Sequence, residues 1–175
     1  SFDLVGEDVL ITGAGPIGML AAMIGVQHGL EVHVLARGTD GPKPRLVREL
    51  GATYHAGAIR DIGFQPDVVI ECTGVGSVLV DSISQIAAGG VVCLTGVGSG
   101  GATSGLAAAD VGRMLVLQNN VILGSVNANR RHFYRAAESL AVDPVLAPIY
   151  RASMDLSLPH FGATLLLAGG DSDAQ

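Results

Sequence analysis

The run Asp8-Val9-Leu10-Ile11-Thr12 passes without a break into Gly13-Ala14-Gly15-Pro16-Ile17-Gly18, which opens into an apolar helical stretch from Met19 to Gln27. A short apolar strand, a G-x-G-x-x-G turn and a helix in that order commit the chain to a βαβ beginning. The same order suits a dinucleotide pyrophosphate. Gly13 permits the tight turn, Gly15 lets backbone approach the phosphates, and Gly18 lets the helix lie close to the strands. The helix start aims its free N–H groups at the anion. With 25 glycines in the chain, spacing alone decides little, and the strand before and helix after carry the reading.

Composition agrees. The chain has 175 residues, enough for one domain with a substantial core, and is 49% apolar and 15% charged. That balance suits a parallel sheet covered on both faces, whose strands read as continuous apolar runs. A formal net charge of −6, with no lysine- or arginine-rich block, argues against a nucleic-acid partner. Cys72 and Cys93 lie in apolar strand-like runs and read as buried, reduced thiols of a cytoplasmic protein. No apolar run is long enough to span a bilayer, and no signal peptide is visible, so no membrane partner is expected. The chain begins with Ser1 and enters its first strand within ten residues, which reads as a piece of a longer protein.

Strands and helices alternate. Strands are expected at Val9 to Thr12, Glu31 to Ala36, Thr53 to His55, Val68 to Cys72, Val91 to Thr95 and Val121 to Gly124. Helices are expected at Pro16 to His28, Lys43 to Leu50, Ser77 to Ala87, Ala107 to Leu117 and Arg130 to Val142, with Gly29 and Gly51 as stops. Six strands in two βαβαβ halves make an α/β fold: a doubly wound parallel Rossmann sheet ordered 3-2-1-4-5-6, with helices on both faces. The stretch Gly96 to Gly105 is nearly all Gly, Ser, Thr and Ala, and reads either as a surface loop or as a cofactor-side lid.

The end of the second strand selects the nucleotide. An NAD site places Asp or Glu about 20 residues beyond the glycines, on the adenosine ribose. Here that stretch is Val34-Leu35-Ala36-Arg37-Gly38-Thr39, with no carboxylate, and Glu31 lies at the wrong end of the strand. Arg37 stands where a carboxylate would repel a 2′-phosphate, and its guanidinium can pair with one. Lys43 and Arg45 either add positive charge nearby or are solvated surface cations. NADP is the expected cofactor, with NAD as the alternative.

Several segments together resemble one family. Val9 to Gly18, Asp67-Val68-Val69-Ile70-Glu71-Cys72-Thr73-Gly74 and Gly89 to Val97 resemble the nucleotide-binding domain of the zinc-type medium-chain alcohol and polyol dehydrogenases. Leu35 to Asp40, Leu46 to Tyr54, and Asn119 to Asn127 with His132-Phe133 after it are most similar to the microbial glucose dehydrogenases that oxidise aldoses with NAD(P). The resemblance covers about Asp8 to Leu140. It implies that Ala14, Gly15, Pro16 and Ile17 lie under the pyrophosphate, with Ala36, Arg37 and Gly38 beside the 2′-phosphate. It also implies that Thr73, Leu94, Thr95 and Gly96 line the nicotinamide half, with Ser125, Val126 and Asn127 over the carboxamide. Gly38 stands where the family's glucose enzymes often carry a second arginine, which keeps dual NAD/NADP use open. For Asn127, stabilising a local turn is the alternative role.

In this family a separate GroES-like domain supplies the zinc that polarises the substrate oxygen during hydride transfer. No Cys/His cluster at ligand spacing is visible here. His28, His33, His55, His132 and His160 are scattered and read as structural or surface, so neither a metal site nor a catalytic residue is expected. The resemblance implies the NADP-binding domain, over 1–146, of an oxidoreductase acting on a glucose-like aldose or polyol through the absent catalytic domain, and inactive alone. The opposing reading is a non-catalytic dinucleotide-binding or sensor module. A methyltransferase-like Rossmann domain is disfavoured, because the second-strand turn lacks an acid for an adenosine ribose. Residues 147–175 form an atypical tail with an apolar segment, Leu158 to Leu167, that leaves homo-oligomer formation open, and an acidic end expected to be disordered.

Overall fold

The computed structural model describes residues 8–98, 107–142, 148–149 and 151–152. Its strands are β1 (Asp8–Thr12), β2 (Glu31–Ala36), β3 (Thr53–Ala56), β4 (Val68–Glu71), β5 (Val91–Leu94) and β6 (Val121–Gly124). Its helices are α1 (Pro16–Gln27), α2 (Pro42–Glu49), α3 (Gly76–Gln85), α4 (Ala108–Gln118) and α5 (Arg130–Val142). The six strands form one sheet in the order β3-β2-β1-β4-β5-β6, and every pair is parallel. The expected doubly wound topology is what the chain adopts.

Alternation along each strand sends side chains to two separate cores. Val9 and Ile11 of β1 and Val32 and Val34 of β2 pack with Met19, Ala22 and Met23 of α1 and Leu46 and Val47 of α2. Leu10, Leu35, Val69 and Val92 point the other way and pack with Ile59 and Ile86. Helix α5 joins the first face through Leu140, and Gln27 Nε2 donates to the Ser139 carbonyl at 2.9 Å.

Most boundaries fall within a residue or two of expectation. At the end of α1, Leu30 N–H donates to Gly25 O and Gly29 N–H to Val26 O, with Gly29 at φ 74°, so the helix stops in a Schellman turn. Helix α3 ends at Gln85 rather than Ala87, because Ile86 is already extended and Ala87 N–H turns away to the Pro66 carbonyl. A single 3₁₀ turn, Ile59–Asp61, was not expected; it buries Ile59 beneath the sheet. Most of the Gly96 to Gly105 stretch, from residue 99 onward, lies outside the described residues, as do Leu158 to Leu167 and the acidic end.

Candidate functional site

A cleft of about 870 Å³ lies at the carboxyl ends of β1, β2 and β4, lined by Thr12 to Gly15, Leu35 to Gly38, and Cys72 and Thr73, with Pro42 to Pro44 and Gly57 to Arg60 on one flank. Open α/β sheets place ligands there, where the crossovers diverge. Its floor is the glycine turn. Gly13 sits at φ 97° and donates its N–H to the Leu35 carbonyl at 2.7 Å. A methyl group on Gly18 would meet the Gly13 carbonyl oxygen at 1.9 Å, so α1 and β1 approach as only glycine allows. Gly15 has nothing within 4 Å of where a side chain would start, leaving open space above the backbone. It is also the N-cap of α1, with no side-chain cap and no acid in the first turn. The first amides of α1 therefore face the cleft without an internal partner.

The cleft's β2 side gathers three cations against one carboxylate, Asp40, and Asp81 lines the cleft as well. Arg37 lines it, as do Lys43 and Arg60, and none of the three forms a salt bridge among the described residues. Arg45 turns away and pairs with Glu49 at 3.4 Å, the solvated role weighed for it. The Tyr54 hydroxyl donates to the Gly38 carbonyl, and the Arg48 guanidinium sits 5.9 Å from its ring centroid. Tyr54 thus ties the turn after β2 to β3. Burial pushes the Tyr54 phenol up, against the pull of Arg48 in the opposite direction.

Below the other side sits Glu71, fully buried and without a cation partner among the described residues. Its carboxylate accepts from Thr12 Oγ1 at 3.3 Å, Thr73 N–H at 2.7 Å, the Thr73 hydroxyl and Gly74 N–H. Its backbone carbonyl accepts from Thr95 and Gly96 N–H. One residue therefore knits the ends of β1, β4 and β5, and the neutral donors satisfy a charge that burial would otherwise penalise. Thr95 Oγ1 also donates to Cys72 Sγ at 3.3 Å. Burial pushes the Cys72 thiol up more than that hydrogen bond lowers it, and burial raises Cys93 as well. Both cysteines are free and half-buried rather than fully buried.

Of the residues singled out from the sequence, Gly13, Ala14, Gly15, Ala36, Arg37, Gly38 and Thr73 line this cleft. Pro16, Ile17 and Gly18 form the first turn of α1 beside it. Leu94, Thr95 and Gly96 lie further along the strand ends and do not line it, though Gly96 packs backbone to backbone against Gly74. Ser125, Val126 and Asn127 follow β6, with Ser125 N–H on the Leu94 carbonyl, and all three are exposed outside the cleft. Sequence reasoning missed Arg60, which no spacing rule links to the glycine turn, and the bracing by Glu71. The Glu71-Cys72-Thr73-Gly74 run held a signal for the second, since a carboxylate ending an apolar strand needs donors close by.

The opposite, amino ends of the strands hold a second group. Asp8, Glu31 and His33 bring one potential metal-ligating atom each to within 4.8 Å of one another. His33 Nδ1 lies 2.9 Å from His55 Nε2, and the Phe64 ring centroid is 4.4 Å from that of His33.

Residues 1–146 match the family model described as glucose dehydrogenase C-terminus. Glucose 1-dehydrogenase 2 of Vulcanisaeta moutnovskia is 41% identical over 141 residues, which are 79% of this chain and 40% of that protein. The glucose dehydrogenase from Haloferax mediterranei superposes with a TM-score of 0.71 at 27% identity, over 85% of this chain and 44% of that one. The same organism's enzyme in complex with NADP, Zn and gluconolactone gives 0.70 at 27%, over 83% and 44%. The chain thus spans about two-fifths of the length of the curated relatives it matches.

Proposed function

The chain belongs to the glucose dehydrogenase C-terminus family, and from that premise we propose that it is the cofactor-binding part of an NADP-dependent medium-chain dehydrogenase that oxidises a glucose-like aldose or polyol. One observation carries the reading: the uncapped start of α1 opens, beneath free space at Gly15, into a cleft whose β2 side presents Arg37, Lys43 and Arg60. That donor set fits a dinucleotide with a 2′-phosphate. The α1 amides and the Gly13 to Gly15 backbone take the pyrophosphate, and the three cations take the 2′-phosphate. Lys43 and Arg60 offset the missing second arginine at Gly38, and NAD binds more weakly in the same cleft. When bound, the nicotinamide accepts the hydride.

The residues of this chain bind and orient. Glu71 holds Thr73 and Gly74 in place, and Leu94, Thr95, Gly96, Ser125, Val126 and Asn127 are assigned the nicotinamide end. Among the described residues the one group that could hold a metal lies at the far ends of the strands from the cleft, so substrate polarisation falls to zinc held elsewhere in the parent enzyme. Alone, the chain binds nucleotide and performs no hydride transfer. We assign residues 1–146 to the nucleotide-binding domain and 147–175 to an atypical tail, in keeping with the extent of the family match. No helix among the described residues is long and apolar enough to cross a membrane, and two free thiols suit the reducing cytoplasm.

Calorimetric titration of the chain with NADP and with NAD, repeated on Arg37→Ala, tests the assignment. NADP should bind more tightly, and the substitution should cost it about 1–3 kcal/mol while leaving NAD nearly unchanged. Equal loss for both nucleotides would remove Arg37 from the 2′-phosphate. Binding of neither would refute the dinucleotide cleft in this chain.

A further inference from the structure

Asp8 and Glu31 are register partners at the amino ends of β1 and β2, so their side chains leave the same face of the sheet, and His33 follows on that face two residues along. The His33 side chain is 10% exposed, whereas those of Asp8 and Glu31 are 39% and 69% exposed. Its Nε2 points at both carboxylates, 3.7 Å from Glu31 Oε1 and 4.0 Å from Asp8 Oδ1. Those distances exceed the 2.7–3.2 Å of an N–H···O hydrogen bond. Among the described residues Nε2 has no hydrogen-bond partner, although the side chain is nine-tenths buried. A buried ring nitrogen facing two oxygens at this spacing has the arrangement of ligands around a cation. At zinc–ligand distances near 2.0–2.2 Å, two ligands of one tetrahedral ion lie about 3.3 Å apart. The two His33 distances, 3.7 and 4.0 Å, and the carboxylate pair, within 4.8 Å, all exceed that spacing, so both exposed acid side chains must rotate inward to close on an ion.

The other ring nitrogen fits the same picture. A metal-bound imidazole must present a lone pair at the ligating nitrogen, so its other nitrogen carries the proton and donates it to an acceptor. His33 Nδ1 stands 2.9 Å from His55 Nε2, brought alongside on β3, and Phe64 packs against both rings. With His55 Nε2 as the acceptor, His55 would fix the tautomer and the plane of His33. We propose that Asp8, Glu31 and His33 form a binding site for a divalent transition-metal ion of the zinc type, with His55 as the positioning residue for His33. One imidazole and two carboxylates suit Zn²⁺ and Co²⁺, and a fourth position is left for water. The ion joins β1 to β2 at their amino ends. The site lies at the opposite ends of the strands from the nucleotide cleft and stands independently of that reading.

The test titrates Co²⁺, then competing Zn²⁺, into the untagged, chelator-stripped chain, following the visible absorption of tetrahedral Co²⁺. Expected are saturation at one ion per chain, displacement by Zn²⁺, and a higher melting temperature with metal. Glu31→Gln and Asp8→Asn, both at exposed side chains, should each weaken binding at least tenfold while circular dichroism stays unchanged. His55→Ala should weaken it about 10- to 100-fold. A chain that gives no saturable Co²⁺ spectrum, or retains full affinity in both carboxylate variants, would overturn the metal site.

Discussion

In β1 and β2, Val9, Ile11, Val32 and Val34 are at most 4% exposed under α1 and α2, which bury residues of their own, while the edge strand β3 has none fully buried. In the half built from β4, β5 and β6, burial fades outward. Val69 and Val92 are fully buried, yet Val121 and Leu123 of β6 are 40% and 42% exposed, and α4 buries none of its residues. The same βαβ plan therefore holds two different amounts of packing. The glycine turn stands in the well-packed half, where rigidity fixes the amides that face the cleft. Among the described residues, nothing covers Val116 and Leu117 of α4 or Phe133 and Tyr134 of α5.

Substitutions can break or sharpen this contrast. Ile11→Ala, in the fully buried core of β1, should cost about 2–5 kcal/mol in urea denaturation. Val116→Ala, at a position 77% exposed, should stay within about 0.5 kcal/mol. Equal losses would mean the two halves are packed alike. Gly18→Ala forces a methyl against the Gly13 carbonyl and should cost about 1–3 kcal/mol, with NADP affinity lost in the same calorimeter. Gly15→Ala meets nothing and should keep the melting temperature while weakening NADP, separating the turn's fold from its ligand. At the seam of the two halves, Glu71→Gln turns an amide toward donors and should cost about 1–3 kcal/mol by thermal melting. The smallest effect concerns the thiols. Burial raises both Cys72 and Cys93, so less thiolate is present at any pH near 8. Iodoacetamide should label the folded chain more slowly than the urea-unfolded one, the difference shrinking as pH rises. Equal rates would mean that the outer half opens freely.

Local patterns made the sheet readable. Apolar runs such as Val68 to Ile70 and Val91 to Leu94, each bracketed by turn residues, mark strands wherever they occur, and alternation with helices fixes a parallel order. The glycine turn and Arg37 were equally legible, because each reports on its own few residues. What escaped depends on segments far apart in sequence. Arg60 reaches the cleft from a 3₁₀ turn after β3, Glu71 braces three strands, and Asp8 meets His33 across 25 positions of chain. Ser125 to Asn127 follow β6 outside the cleft lining, so their proposed place at the nicotinamide end rests on the motif rather than on the cleft.

The bare start of α1 has a thermodynamic consequence. A helix without a capping side chain begins with amides that water alone satisfies, and here the missing acceptor is one that a diphosphate carries. A nucleotide that binds only the folded chain adds stability as RT ln(1 + [L]/Kd), about 2.7 kcal/mol at a hundredfold excess over Kd. If the proposed dinucleotide binds there, the domain leaves part of its own stability to that ligand, and the nucleotide supply around it would shift how much of the chain stays folded.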